Sequence, residues 1–346
     1  MNHAIDSATA PAPRARALPK VLLHDHLDGS LRVQTLLDLL RQRGMTPPAP
    51  DTASLYAWFD ANAHAGSLEK YLEGFALTVA AMASPEAMRR VAREAAEDAH
   101  AQGVVLAEFR IAPLLFEPFG VSGEAAVEAL LQGLADAPMP CGLIVCAMRH
   151  LPVAETERAA SLALKYQGQG VVGFDLAGPE FGFPATAHAA PLQRVRDAGL
   201  AITLHAGEAD AAERVVEAGR LGAKRIGHGV RLADALGDPA RQHLVDEVKA
   251  LGLHLEVCPS SNVHTGAARN VASHPITALW KAGVSLSYHT DNTLISCLTA
   301  SSEAEALLSE TALSEADLLA MARQAAQASF MPENAKAAAL AAIDAF

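Results

Sequence analysis

Val21-Leu22-Leu23-His24-Asp25-His26-Leu27-Asp28-Gly29 runs from an apolar stretch into a polar end, and this junction sets the reading of the chain. In an extended strand successive side chains point to opposite faces, so His24 and His26 share one face and Asp25 takes the other. Two imidazoles about 6–7 Å apart along a strand can converge on one metal ion. Gly29 then lets the backbone turn away sharply. A single His-x-His pair says little; the weight comes from similar junctions downstream.

Short runs rich in Val, Leu and Ile alternate with longer Ala-, Glu- and Arg-rich stretches of helical period. This alternation predicts parallel strands joined by crossover helices. The strands are expected at Val21–Leu27, Val104–Ile111, Cys141–Met148, Val171–Leu176, Leu200–His205, Arg225–His228, Leu253–Cys258 and Val284–Thr290. Helices are expected between them, at Pro85–Gln102, Ser122–Ala135, Ala154–Tyr166, Ala187–Ala198, Ala211–Leu221, Pro239–Leu251 and His274–Ala282. Eight such units predict an α/β fold, a single-domain (β/α)8 TIM barrel spanning 19–346. An open dinucleotide-binding sheet fits less well, because no Gly-x-Gly-x-x-Gly follows the first strand. The Ala- and Pro-rich residues 1–18 read as a disordered N-terminal tail without the apolar core of a signal peptide.

One connection breaks the rhythm. Between the first two strands Leu68, Tyr71, Leu72 and Phe75 fall at i, i+3, i+4 and i+7, an apolar stripe on one helical face. It reads either as a helix packed on the body or as a hydrophobic lid over the barrel mouth. Ala-rich helices at Glu303–Gln327 and Pro332–Ala345 are expected to cover the barrel.

The 346 residues are 51% hydrophobic, enough for a large core, and carry a net charge of −12. An acidic chain with no basic stripe is a poor match for a phosphate backbone, which excludes nucleic acid as the expected partner. No apolar run approaches the ~18–20 residues of a membrane span. Cys141, Cys146, Cys258 and Cys297 form no Cys-x-x-Cys pair and read as free, mostly buried thiols of a cytoplasmic protein.

A barrel gathers its chemistry at the C-terminal ends of its strands. The fifth strand ends in His205-Ala206-Gly207-Glu208, the sixth in Gly227-His228-Gly229 and the eighth in His289-Thr290-Asp291-Asn292. Any one of these has an ordinary explanation: a hydrogen-bonded core histidine, or an acidic helix cap. Together with His24 and His26 they supply three imidazoles and a carboxylate, with Glu208 and His228 beside them. That donor set suits Zn2+, which lowers the pKa of water to about 7. His289 shares the parity of Asp291 along the strand and is a further candidate ligand.

Pro19–Gly29, His205-Ala206-Gly207-Glu208, Ile226-Gly227-His228-Gly229 and Thr290-Asp291 resemble the adenosine deaminases. So do Met148-Arg149-His150, Asp175-Leu176-Ala177-Gly178, Cys258-Pro259-Ser260-Ser261-Asn262 and Ser329-Phe330-Met331-Pro332-Glu333, in order along the chain. The resemblance implies a zinc-dependent barrel that hydrolyses the 6-amino group of a purine nucleoside, most simply adenosine to inosine and ammonia. It implies His24, His26, His205 and Asp291 as ligands of one zinc, Glu208 as the acid that protonates the purine ring, and His228 as the group that orients the attacking hydroxide. It further implies substrate contacts from His26, the Gly178 backbone, Asp28 at the ribose hydroxyl, and a lid at Leu68, Tyr71, Leu72 and Phe75. Binuclear relatives place a lysine at the fourth strand end; Asp175-Leu176-Ala177-Gly178 has none, so one metal is expected.

The chain departs from the family at Asn292, where a second aspartate is usual. That position faces the purine N7, an acceptor, and an Asn amide donates to it at any pH. The departure keeps other substrates in view, namely adenine or another 6-aminopurine such as 6-aminodeoxyfutalosine. A non-catalytic barrel that binds metal or nucleoside is a third reading, disfavoured because it needs neither Glu208 nor His228. Deamination within nucleic acid is disfavoured by the acidic charge and by the missing His-x-Glu and Pro-Cys-x-x-Cys zinc signature. The oligomeric state is left open.

Overall fold

The apolar runs become eight strands that pair in parallel in chain order: β1 (Lys20–Leu22), β2 (Val104–Ile111), β3 (Cys141–Met148), β4 (Val171–Ala177), β5 (Ala201–Ala206), β6 (Arg225–His228), β7 (His254–Val257) and β8 (Leu286–Tyr288). This computed structural model describes residues 13–64 and 68–346, and the side chains of all of these except 68–72. Helices occupy every connection, so the strands are covered outside and read as near-continuous apolar runs. The result is a nearly closed (β/α)8 barrel.

The expected first strand, Val21–Leu27, is cut short after Leu22. Its polar end forms the closing seam instead. Asp291 N donates to the His24 carbonyl (3.0 Å), His26 N to the Asp291 carbonyl (2.7 Å) and Arg110 N to the Asp25 carbonyl (2.8 Å). The backbone that shuts the barrel therefore also carries the candidate ligands.

The interior departs from the usual packing of branched aliphatics. Glu108, Arg110, Asp175, Thr203, Arg225 and Glu256 are all fully buried there. Arg110 bridges Asp175 (2.7 Å) and Glu256 (2.6 Å), while Arg225 bridges Glu256 (2.6 Å) and Glu108 (2.7 Å). Buried charges persist only when paired and hydrogen-bonded in this way.

Three other expectations change. Pro13–Ala17, within the expected tail, is a short helix, with Ala15 and Leu18 buried. The stretch Glu303–Gln327 is two helices, Ala300–Glu310 and Glu315–Ala328, because Ser314 and Asp317 form a capping box that starts the second. Helices Glu315–Ala328 and Glu333–Asp344 close the barrel floor, where Ala322, Ala325, Met331 and Ala335 pack on Val21, Leu23 and Leu106. Between them Phe330 stacks on the Arg225 guanidinium at 3.6 Å. The third change concerns the insertion after β1, which holds helices Val33–Gln42, Thr52–Ala63 and Leu68–Met82. Phe75 of the proposed stripe is half-buried against the core, and the side chains of Leu68, Tyr71 and Leu72 lie outside the described residues.

Candidate active site

The strand-end residues converge. His24 and His26 leave β1, His205 lies in β5, His228 ends β6, and Asp291 follows β8. Ligand atoms of His24, His26 and His205 lie within 4.8 Å of one another, as do those of His24, His228 and Asp291. His26 Nε2 is 3.3 Å from His205 Nε2, and Asp291 Oδ1 is 3.3 Å from His24 Nε2 and 3.5 Å from His26 Nε2.

His228 (φ 63°) and Asp291 (φ 61°) both adopt the left-handed backbone that only a few per cent of residues other than glycine take. Such residues persist only where their surroundings hold them, and they gather at functional sites. Ser261 Oγ donates to Asp291 Oδ2 at 2.5 Å and leaves Oδ1 facing the histidines. Burial alone would raise the Asp291 carboxyl, but the adjoining His24, with His228 and His26, holds it well below the usual carboxylate range.

Behind the candidate ligands stand two carboxylates. Glu256 Oε2 accepts from His24 Nδ1 at 2.9 Å, and Asp175 Oδ1 from His205 Nδ1 at 3.1 Å. Against the cost of burial, Arg110 and Arg225 lower Glu256, while His205 and Arg110 lower Asp175. With Nδ1–H committed, each histidine turns an unprotonated Nε2 to the cluster, as a metal ligand requires. His24 Nε2 is buried without a hydrogen-bond partner among the described residues. Arg110 pairs with Asp175 and Glu256, and Arg225 with Glu256 and Glu108, so the Asp291 carboxylate is left to the imidazoles of His24 and His26. The donor set fits Zn2+.

Glu208 sits at the mouth with its side chain 21% exposed, Oε2 3.5 Å from His228 Nε2. Thr265 Oγ1 (2.9 Å) and Asn262 Nδ2 (3.3 Å) both donate to its Oε1. Its loop is clamped by Glu180, which accepts from the backbone N–H groups of Gly207 (2.5 Å), Glu208 (3.0 Å), Ala209 (2.9 Å) and Asp210 (3.1 Å).

Asp28 is buried, its carboxyl pushed up to about 7 by burial, and its Oδ1 has no partner among the described residues. Gly29 owes its identity to Asn292, whose Oδ1 would lie 2.1 Å from a Cβ there. Gly178 (φ 94°) follows β4, and a Cβ there would crowd His150 Nδ1 at 3.1 Å.

His289 stays outside the cluster. Its Nδ1 accepts from Leu23 N (3.1 Å) and its Nε2 donates to Ser287 Oγ (2.7 Å). Parity failed because the left-handed turn at Asp291 reverses the strand alternation. Sequence reasoning also missed Arg110, Glu180, Glu256, Asn262 and Thr265. For Arg110 and Glu256 the signal was a charge inside an otherwise apolar strand, which demands a buried partner.

The adenosine deaminase family model matches residues 19–346. An adenosine deaminase of Mycobacterium avium is 40% identical over 346 residues, covering 94% of each chain. The crystal structure of an Arabidopsis N6-mAMP deaminase superposes with a TM-score of 0.83 at 26% identity, covering 97% of this chain and 100% of the other. A zinc-bound amidohydrolase from Burkholderia ambifaria shares the fold, with a TM-score of 0.84 at 24% identity over 99% of this chain and 94% of the other.

Proposed function

This chain belongs to the adenosine deaminase family, and from that premise we propose that it hydrolyses adenosine to inosine and ammonia with one zinc ion held by His24, His26, His205 and Asp291. The observation that carries the metal assignment is the buried Nε2 of His24, which has no hydrogen-bond partner among the described residues and faces two further imidazoles and a carboxylate. When bound, zinc lowers the pKa of water to about 7 and makes hydroxide available at neutral pH.

The protein's own groups do the rest. Addition of an oxygen to C6 ends the aromaticity of the ring, so a proton must reach the ring nitrogen as the bond forms. Glu208 supplies it, and a positioned acid of this kind contributes about 10²–10⁴-fold. His228 donates a hydrogen bond to the attacking oxygen and steadies its charge. Asp28 accepts from the ribose 5′-hydroxyl, the Gly178 backbone holds the base, and the Asn292 amide donates to N7. Collapse of the adduct passes the hydroxyl proton to the amino group as the C6–N bond breaks, so ammonia leaves and the 6-oxo purine keeps the ring proton.

The test is kcat/KM for adenosine, adenine, 6-aminodeoxyfutalosine and AMP, followed by the fall in absorbance of the 6-aminopurine. Adenosine is expected to lead, because a site built around a hydroxyl discriminates strongly against a partner lacking it. AMP is expected to be poor, since its phosphate would meet the Asp28 carboxyl. Adenine equal to or better than adenosine overturns the nucleoside assignment. Elemental analysis finding two metals per chain overturns the mononuclear site.

A further inference from the structure

Asn262 lies between the two residues assigned to chemistry and touches both. It is fully buried in the short helix Pro259–His264 that follows β7. Its Nδ2 is 3.1 Å from His228 Nδ1 and 3.3 Å from Glu208 Oε1, while its Oδ1 is 3.3 Å from Nε2 of the buried His274.

The direction of every bond in this chain is set from one end. The backbone N–H of Ile276 can only donate, and it points at His274 Nδ1 (3.1 Å). His274 Nδ1 is therefore the acceptor, and a neutral ring then carries its proton on Nε2. Burial, with the nearby His228, pushes His274 down to about 3 and keeps the ring neutral. Nε2–H donates to Asn262 Oδ1, which turns the amide nitrogen toward the active site. The other end gives the same orientation, since the opposite rotamer would press an amide oxygen against the Glu208 carboxylate.

We propose that Asn262, aligned by His274, is a positioning residue that makes His228 Nδ1 an acceptor, so that His228 presents Nε2–H to the reaction and cannot take a proton there. The same amide sets the polarity of Glu208. Asn262 and Thr265 both donate to Oε1, so the proton delivered to the purine ring resides on Oε2, the oxygen beside His228. The proposal rests on the reading of Glu208 and His228 as the reacting pair. It makes His228 a hydrogen-bond donor to the attacking oxygen throughout and leaves Glu208 as the only proton donor of the two.

The experiment is 15N NMR of histidine-labelled protein as isolated, with its metal, the His228 signals being identified by their loss in His228→Asn. The expected spectrum has the ring proton of His228 on Nε2 and an unprotonated Nδ1. Asn262→Asp keeps the shape but presents an acceptor. It is expected to move a proton onto Nδ1 and to lower kcat about 10–100-fold, the usual effect of a misdirected supporting partner, with KM near the wild-type value. His274→Gln retains a donor for the Asn262 oxygen and should keep most of kcat, whereas His274→Leu should lose it as Asn262→Asp does. A wild-type His228 protonated on Nδ1 overturns the proposal, as does an Asn262→Asp protein with an unchanged ring proton and kcat. Should that variant fail to fold, equal kcat in the two His274 variants overturns it. A wild type that turns over no 6-aminopurine overturns the functional reading alone, because the ring proton is read without turnover.

Discussion

Glu208 holds its place through two separate devices: Thr265 and Asn262 on one carboxyl oxygen, and Glu180 behind its backbone. Exchange to Gln preserves the shape and both Oε1 bonds but removes the transferable proton. Glu208→Gln is therefore expected to lower kcat by about 10²–10⁴-fold while metal content and KM stay near wild type. Steady-state kinetics with elemental analysis checks this, and near-normal kcat removes Glu208 from the reaction. At this scale the candidate residues could be named from the sequence, because His, Asp and Glu recur together at four strand ends, where each alone would have an ordinary explanation. Their supports were not. Asn262 and Thr265 are ordinary polar residues until β7 and its loop bring them to Glu208.

Among the elements, the turn Leu27–Gly29 and the segment after β8 fit one another closely. Leu294 N and Ile295 N donate to the Gly29 carbonyl (3.0 and 3.2 Å), and Asn292 occupies the space a Gly29 side chain would need. Gly29→Ala must displace Asn292. Overpacking of this kind costs about 1–3 kcal/mol, and a displaced Asn292 should raise KM for adenosine more than it lowers kcat. Urea unfolding and kinetics measure the two effects, and unchanged values in both would refute the packing account. The helix Ala300–Glu310 offers a pH test away from the metal cluster. Its buried Glu303 accepts from Ser260 N (2.9 Å) and Oγ (2.5 Å), anchoring the start of the helix that carries Asn262. Burial pushes Glu303 up to about 7 from the usual 4.5. A carboxyl raised on folding stays protonated in the native state while the unfolded chain ionises, so its contribution to stability is full below pH 4.5 and declines as pH rises toward 7. Glu303→Gln should abolish that decline. The variant should gain on wild type by up to ~3 kcal/mol between pH 4.5 and 7, read from denaturation midpoints, and parallel pH curves for the two proteins would refute it.

For the molecule as a whole, a zinc ion held at the buried His24, His26, His205 and Asp291 cluster would tie metal binding to folding. Without a cation the Asp291 carboxylate and the imidazoles of His24, His26 and His205 crowd one another largely out of water. Metal bound only by the native state stabilises it by about 4 kcal/mol at a thousandfold excess over Kd. Chelation should therefore lower Tm by roughly 5–10 °C. Calorimetry checks this, with the His24→Ala, His26→Ala double variant expected to lack the shift. Metal stripped without change in Tm would separate the site from the fold's stability.

The sequence alone determined the eight-unit barrel, since the alternation of apolar strand and amphipathic helix is local and repeated. It also determined the strand ends at which chemistry gathers, because an extended chain shows its alternation in one dimension. Tertiary structure decided the rest. The left-handed turn at Asp291 overrode the parity that made His289 a candidate ligand, and the alternation of a strand does not show where such a turn falls. The pairing of Arg110 with both Asp175 and Glu256 joins residues far apart in the chain. Only barrel closure, which drives those charges out of water, compels them to find one another.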